Sequence, residues 1–205
     1  MPAARPARLK VPTVSTYPQA ELILSAAHAR QFPQDSGAEV AFAGRSNAGK
    51  SSAINALTAR RGLARVSKSP GRTRLLNFFE LLPGRRIVDL PGYGYATASA
   101  AERASWAPMT TALAQRASLK GLFLIVDCRR GLLEGDAGLI AWARDAGHPV
   151  HVLLTKCDKL TRAEHGRALS AARQALAASA TVQAFSAVDG TGLDEARGQL
   201  DRWFK

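Results

Sequence analysis

The 205-residue sequence predicts an α/β fold, in which a mostly parallel β-sheet carries helices on both faces. Two observations support this prediction. Short apolar segments typical of buried strands alternate along the chain with segments of helical periodicity. A glycine-rich loop also follows one apolar segment directly and opens a helix, as in a strand–loop–helix unit. Ligands of such sheets bind outside the carboxyl ends of the strands.

The apolar segments define the predicted strands. Residues 75–82 and 86–90 flank a Pro-Gly turn and therefore form a hairpin, which makes one strand of the sheet antiparallel. The other strands are predicted at 20–27, 39–44, 119–128, 150–155 and 181–186.

The helices are predicted from their periodicity and their capping residues. A Ser or Thr with a Glu three residues later predicts helix starts near Ser99 and Thr161, and Thr191 with Asp194 caps the last helix. Pro108 lies inside the helix that follows Ser99 and predicts a kink or a new start there. The remaining helices are predicted at 50–59 and 134–146.

The composition predicts one domain over residues 20–205, preceded by a flexible, basic and proline-rich arm over residues 1–19. No apolar run is long enough to cross a membrane, and the N-terminus lacks the apolar segment of a secretory signal. Cys128 and Cys157 are expected to be buried thiols at strand ends. The net charge of +12 favours polyanions as partners, which means nucleic acid or, less often, an anionic membrane.

Residues 39–52 carry the strongest motif, because Gly44, Gly49, Lys50 and Ser51 match the pattern G-x-x-x-x-G-K-[ST] after an apolar strand. In such a loop, backbone N–H groups surround a phosphate chain at the start of a helix. Lys50 is expected to reach the β- and γ-phosphates, and the Ser51 hydroxyl is expected to ligate Mg²⁺. The motif therefore predicts a site for a nucleoside triphosphate.

Other loops narrow this prediction to a guanine nucleotide. Asp89 begins Asp-Leu-Pro-Gly, where its carboxylate can hold the hydration shell of Mg²⁺ and the Gly92 amide can meet a γ-phosphate. Asp158 can accept hydrogen bonds from N1–H and the exocyclic amine of guanine, and Ser186-Ala187 can offer a backbone N–H to guanine O6. The Thr73 hydroxyl can complete the Mg²⁺ coordination while a γ-phosphate holds its loop closed.

Six segments together resemble the EngB family of bacterial GTPases. They are Gly-Arg-Ser-Asn-Ala-Gly-Lys-Ser-Ser (44–52), Ser-Pro-Gly-Arg-Thr (69–73), Asn-Phe-Phe (77–79), Asp-Leu-Pro-Gly-Tyr-Gly-Tyr-Ala (89–96), Thr-Lys-Cys-Asp-Lys-Leu (155–160) and Phe-Ser-Ala (185–187). The resemblance covers the chain from about residue 20 to its C-terminus. It implies the three-layer G domain of P-loop GTPases, which hydrolyses GTP to GDP and phosphate with Mg²⁺.

The resemblance also implies partners and a cellular role. The expected partners are GTP, GDP and the large (50S) ribosomal subunit with its rRNA, in whose assembly the protein acts as a switch linked to cell division and septation. A cytoplasmic bacterial monomer without stable membrane association is expected.

Residue roles follow from the resemblance by position. The catalytic residues are Lys50, Thr73 and Gly92, and Mg²⁺ is held by Ser51, Thr73 and, through water, Asp89. The nucleotide-binding residues are Gly44, Arg45, Ser46, Asn47, Ala48, Gly49, Lys50, Ser51, Ser52, Gly71, Arg72, Thr73, Arg74, Leu75, Asp89, Leu90, Pro91, Gly92, Thr155, Lys156, Cys157, Asp158, Phe185, Ser186 and Ala187.

The residue after Gly92 bears on the rate of hydrolysis. Many small GTPases place a water-orienting glutamine there, whereas this chain has Tyr93. We therefore expect slow intrinsic hydrolysis that depends on positioning and on added positive charge. A partner or a monovalent cation can supply that charge, and Asn47 stands where related loops help bind K⁺, which makes K⁺ a candidate cofactor.

A basic connector precedes the hairpin and overlaps the loop that carries Thr73. It holds Arg60, Arg61, Arg65, Lys68, Arg72 and Arg74, and no acidic residue lies between Val40 and Phe79. This surface is expected to engage ribosomal RNA when GTP orders it, with binding that weakens as salt rises.

Two other functions remain open from the sequence. One is a nucleotide-gated binding module at the membrane or division site, with incidental hydrolysis. The other is a P-loop ATPase or phosphotransferase. Asp158 argues against this function, because it stands in a Thr-Lys-x-Asp segment.

Overall fold

The computed structural model describes residues 17–64, 75–93 and 108–205. Within these residues, one sheet contains seven strands in the order β1-β3-β4-β2-β5-β6-β7. The strands are β1 (Glu21–Ala26), β2 (Ala38–Gly44), β3 (Leu76–Leu82), β4 (Arg85–Asp89), β5 (Leu119–Asp127), β6 (Val150–Thr155) and β7 (Thr181–Ala184). β3 pairs antiparallel with β1 and β4, and the remaining pairs are parallel. The predicted mostly parallel sheet with one antiparallel strand is therefore confirmed.

Helices cover both faces of the sheet, and we number those in the described part of the chain in order. They are α1 (Lys50–Leu57), α2 (residues 108–114), α3 (Glu134–Asp145), α4 (Arg162–Leu176) and α5 (Leu193–Trp203). Ile54 of α1 and Leu200 of α5 belong to one apolar cluster, whereas Leu113, Ile140 and Leu176 of the other three helices belong to a second. The three predicted layers are thus present, with α1 and α5 on one face.

The central strands are apolar because both of their faces are covered. Every residue of β2 and all but one residue of β5 are buried. This burial fits the near-continuous apolar runs by which the sequence predicted parallel strands.

One predicted helix start is confirmed and another is wrong. The Thr161 hydroxyl accepts a hydrogen bond from the Glu164 amide at 3.3 Å, as the capping pattern predicted. The last helix has Gly192, rather than Thr191, as its N-cap. Gly192 has a φ of 70°, and a Cβ there would lie 2.0 Å from the Ala184 carbonyl oxygen, so this close approach to β7 requires glycine.

Several predictions fall outside the described residues, namely the helix start near Ser99, the path just before Pro108 and most of the N-terminal arm. Tyr17 and Pro18, at the end of the predicted arm, contact the domain, since the Tyr17 hydroxyl donates to Asp201 at 2.8 Å and Arg60 donates to the Pro18 carbonyl. No helix in the described ranges has the length and apolar character needed to cross a bilayer.

The amino-terminal edge of the sheet carries a closed ionic network. Glu39 at the start of β2 is fully buried and accepts from Arg86 at 2.5 Å and from Arg116 at 2.7 Å. Arg116 also lies over the ring of Phe32. Both carboxylate oxygens are thus occupied, and the network joins β2 to β4 and to the segment before β5.

Candidate functional site

The carboxyl ends of the parallel strands bring most of the predicted site residues to one edge. Gly44–Ser52 end and follow β2, Asp89–Gly92 end and follow β4, Thr155–Asp158 end and follow β6, and Phe185–Ala187 follow β7. Leu75 precedes β3 from the same side. The predicted residues Gly71, Arg72, Thr73 and Arg74, with Arg65 and Lys68 of the basic connector, lie outside the described residues.

The phosphate loop requires an unusual backbone. Asn47 has a φ of 64° and Gly49 a φ of 104°, and helix α1 begins directly after them at Lys50. Asparagine and glycine are the residues that adopt this left-handed region most readily. Gly44 is tightly enclosed, because a Cβ there would lie 2.6 Å from the carbonyl oxygen of Ile125. Helix α1 thus begins at the end of the loop, and the N-terminus of a helix favours an anion.

Lys50 and Asp89 form an ion pair at the centre of the site. Their side chains are only 11% and 10% exposed. Burial raises the pKa of Asp89, and the charge and hydrogen bond of Lys50 oppose that rise. The ion pair therefore holds the lysine of the phosphate loop against the end of β4.

Ser51 and Asp89 also fit a Mg²⁺ ion. Ser51 stands in the first turn of α1 and Asp89 at the end of β4, which both border the phosphate loop. Hydroxyl and carboxylate oxygens are the donors that Mg²⁺ prefers, usually with several waters retained. When bound, Mg²⁺ neutralises charge on phosphate oxygens.

The end of β6 is hydrogen-bonded to the phosphate loop. The Thr155 hydroxyl donates to the Ala48 carbonyl at 2.5 Å and lies 3.1 Å from the carbonyl of Val126. Lys156 Nζ donates to the Asn47 carbonyl at 2.5 Å. The Lys156 backbone has a φ of 62°, a strained value for a lysine, and such strain persists only where surrounding contacts hold it.

Asp158 and Ser186 meet at the far end of the same edge. The Ser186 hydroxyl donates to Asp158 at 2.9 Å and accepts from the Val188 amide at 3.1 Å. The predicted residues Cys157 and Phe185 bury their side chains in the core, 7% and 0% exposed, so they can contact a ligand only through their backbone. The structure thus brings the two predicted base-binding loops together.

Asp127 and Arg129 border the predicted site residues but were not predicted. The Asp127 carboxylate accepts from Arg129 Nη2 at 2.6 Å and from Lys156 Nζ at 2.9 Å. Burial would raise the pKa of Asp127, but these hydrogen bonds outweigh it and lower the pKa well below its ordinary value. Asp127 ends an apolar strand, as Asp89 does, and that shared position is the sequence signal that could have identified it.

The Tyr93 backbone pairs with the phosphate loop, whereas its side chain reaches α3. Its backbone pairs with the start of the loop, since the Ser46 amide donates to the Tyr93 carbonyl at 2.9 Å. Its hydroxyl donates to the buried carboxylate of Asp136 in α3. Burial, with this hydrogen bond, raises the pKa of Tyr93. The residue that replaces glutamine is therefore fixed to the first turn of α3.

Comparisons with known proteins agree with this geometry. Residues 39–156 match a family model described as "50S ribosome-binding GTPase". The chain is similar to a probable GTP-binding protein EngB of Coxiella burnetii, with 46% identity over 92% of this chain and 94% of the relative. A protein of the same name from Stenotrophomonas maltophilia is 50% identical over 88% of this chain and 92% of its own length.

Solved structures share the fold. A crystal structure of a probable GTP-binding protein EngB superposes with a TM-score of 0.65 at 22% identity, over 82% of this chain and 98% of that chain. Era in complex with MgGDPNP and a segment of 16S ribosomal RNA has a TM-score of 0.59 at 21% identity, over 82% of this chain and 57% of that chain.

Replacing Thr155 with valine should accelerate nucleotide release. The substitution keeps the shape of the side chain but removes its hydrogen bond to the phosphate loop, worth about 1 kcal/mol, so release of a fluorescent GDP analogue should be about five- to tenfold faster. Stopped-flow fluorescence measures this rate. Thr181→Val is the control, because it removes a hydroxyl that lies 2.6 Å from His151 at the opposite edge of the sheet. Equal release rates for both variants would contradict the role of Thr155.

Proposed function

The chain belongs to the EngB family of GTP-binding proteins and is a P-loop GTPase, and we propose that it uses GTP hydrolysis as a switch in assembly of the large (50S) ribosomal subunit. The main support for the GTP site is that Thr155 and Lys156 tie the loop that carries Asp158 to the phosphate loop that carries Lys50. The description of the matching family model and the net charge of +12 support a ribosomal partner. This function belongs in the bacterial cytoplasm, where a link to cell division and septation is part of the proposal.

The phosphates bind along Gly44–Ser52 in this proposal. The loop amides and the start of α1 face the phosphate chain, and Lys50 binds the β- and γ-phosphates. A triphosphate then competes with Asp89 for Lys50. Asp89 released from the ion pair can hold the water shell of the Mg²⁺ that Ser51 ligates.

The guanine binds between the loops after β6 and β7. Asp158 accepts from N1–H and the exocyclic amine, while the stem of Lys156 lies along the base. The 2.9 Å hydrogen bond from Ser186 supports this role by fixing the Asp158 carboxylate. Ala187 offers its backbone N–H to guanine O6.

Hydrolysis depends on positioning rather than on a general base. Gly92 offers its amide to the γ-phosphate, and Thr73 closes on Mg²⁺ only in the GTP state. Tyr93 is held by Asp136, so its side chain does not orient the attacking water. The intrinsic rate should therefore lie near 10⁻⁴ to 10⁻² per second, roughly the range of GTPases without full charge compensation.

Replacing Asp158 with asparagine should change the base preference. Asparagine offers an N–H where aspartate offers only acceptors, so binding should shift from guanine toward xanthine nucleotides. Titration with fluorescent GDP and XDP analogues measures both affinities. Asp194→Asn, at an exposed carboxylate in α5, is the control. An unchanged GDP affinity in Asp158→Asn would refute the base assignment.

Potassium should accelerate hydrolysis if Asn47 helps to bind it. Asn47 is exposed at the turn of the phosphate loop, where a cation beside it can offset the charge that develops on the phosphates. Turnover should be several-fold faster in KCl than in NaCl, and Asn47→Ala should abolish the difference. Equal rates in the two salts would remove K⁺ from the mechanism.

Co-sedimentation with large ribosomal subunit particles tests the proposed function. The protein should pellet with the particles when it holds a non-hydrolysable GTP analogue and much less when it holds GDP, and binding should weaken steeply as salt rises. Binding that changes with neither the bound nucleotide nor the salt concentration would contradict the proposal. Nucleotide-dependent binding to lipid vesicles instead of particles would favour a module at the membrane or division site.

A further inference from the structure

A cavity of about 310 Å³ lies behind the phosphate loop. It is enclosed by that loop, by the loop that follows β5 and by the first turn of α3. Its charged lining consists of four cations and two carboxylates, which are Arg45, Arg129, Arg130, Lys156, Asp127 and Asp136. The cavity therefore carries a net charge of +2.

The cavity borders the proposed nucleotide site without coinciding with it. Arg45–Ala48 and Lys156 belong to both. Gly49–Ser52, Asp158 and Ser186 are absent from its lining. α1, which those glycine and serine residues begin, packs with α5 on one face of the sheet, whereas α3 packs on the other. The hydrogen bond between Lys156 and the Asn47 carbonyl lies in the wall that the two spaces share.

Both carboxylates of the cavity are already engaged. Asp127 accepts from Arg129 and Lys156. Asp136, only 1% exposed, accepts from the Tyr93 hydroxyl and from the Leu133 amide.

Arg45 and Arg130 are the other two cations of the cavity. Among the described residues, no carboxylate lies within ion-pair distance of Arg45 or Arg130. Arg130 is also exposed at the mouth of the cavity. Two guanidinium groups are thus available to an anion that enters from solvent.

We propose that this cavity binds a backbone phosphate of RNA. Guanidinium groups match the geometry of phosphate oxygens, and Arg is the usual residue where phosphate is recognised. RNA rather than an acidic protein segment is favoured by the charge of +12 and by the proposed ribosomal role, on which this choice of partner rests. The site is distinct from the basic connector, because Arg45 follows β2 and Arg130 follows β5.

Charge removal at Arg130 tests the site in the 205-residue chain with Mg²⁺ and a non-hydrolysable GTP analogue. Binding of a short single-stranded oligoribonucleotide is followed by fluorescence anisotropy between about 50 and 200 mM KCl. Arg130→Gln should weaken binding and reduce the slope of log K against log salt by about 0.7 to 1, since one phosphate contact is lost. Arg144→Gln is the matched control, because Arg144 is exposed at the opposite end of α3. It should leave the slope unchanged.

Three results would overturn the proposal. They are equal slopes for Arg130→Gln and the unmodified protein, an equal loss in Arg144→Gln, and Arg130-dependent binding of inorganic tripolyphosphate or an oligoglutamate peptide without Arg130-dependent binding of RNA. Unchanged melting temperature and GDP affinity in Arg130→Gln establish that the variant is folded. If the unmodified protein fails to co-sediment with ribosomal particles, the ribosomal function is refuted. The oligoribonucleotide titration tests RNA binding by the cavity independently of that result.

Discussion

The site depends on the hydrogen bonds that join the end of β6 to the phosphate loop. β5 separates β2 from β6 in the sheet, so the two strand ends are about 10 Å apart. Thr155 and Lys156 span this gap by donating to two consecutive carbonyl groups, those of Ala48 and Asn47. A ligand with a phosphate end and a base end can therefore meet both loops in a fixed relation. The left-handed backbone conformation of Lys156 is strained, and these hydrogen bonds help to hold it in place.

Buried charge has opposite consequences at the two edges of the sheet. At the amino-terminal edge, Glu39 has both oxygens occupied by arginines and is fully enclosed, which leaves no room for a ligand. At the carboxyl edge, Asp89 and Asp127 are paired with lysines that border the phosphate loop. Exchange of Asp89 for a phosphate keeps Lys50 compensated, and Mg²⁺ held through water can compensate the released Asp89.

Local sequence predicted most of the fold and most of the positions of the site. Apolar runs identified the strands because parallel strands are buried on both faces, and motifs at their carboxyl ends necessarily meet at one edge. The roles of Asp127 and Tyr93 escaped prediction, because their partners Lys156 and Asp136 are distant in sequence and become neighbours only through the strand order. The predicted cap at Thr191 was wrong for a related reason: the helix is capped by Gly192, where the distant carbonyl of Ala184 excludes a side chain.

The packing of Gly92 limits what can be learned by mutating it. A Cβ at this position would lie 2.8 Å from the Ser46 hydroxyl oxygen and 3.2 Å from the Ser46 Cα. Because Ser46 belongs to the phosphate loop, even an alanine at position 92 requires the Ser46 hydroxyl to turn and the loop backbone to shift by a few tenths of an ångström. Slow turnover in such a variant could reflect weaker binding or slower chemistry. The contribution of the Gly92 amide therefore has to be measured by a change that adds no atom to its Cα.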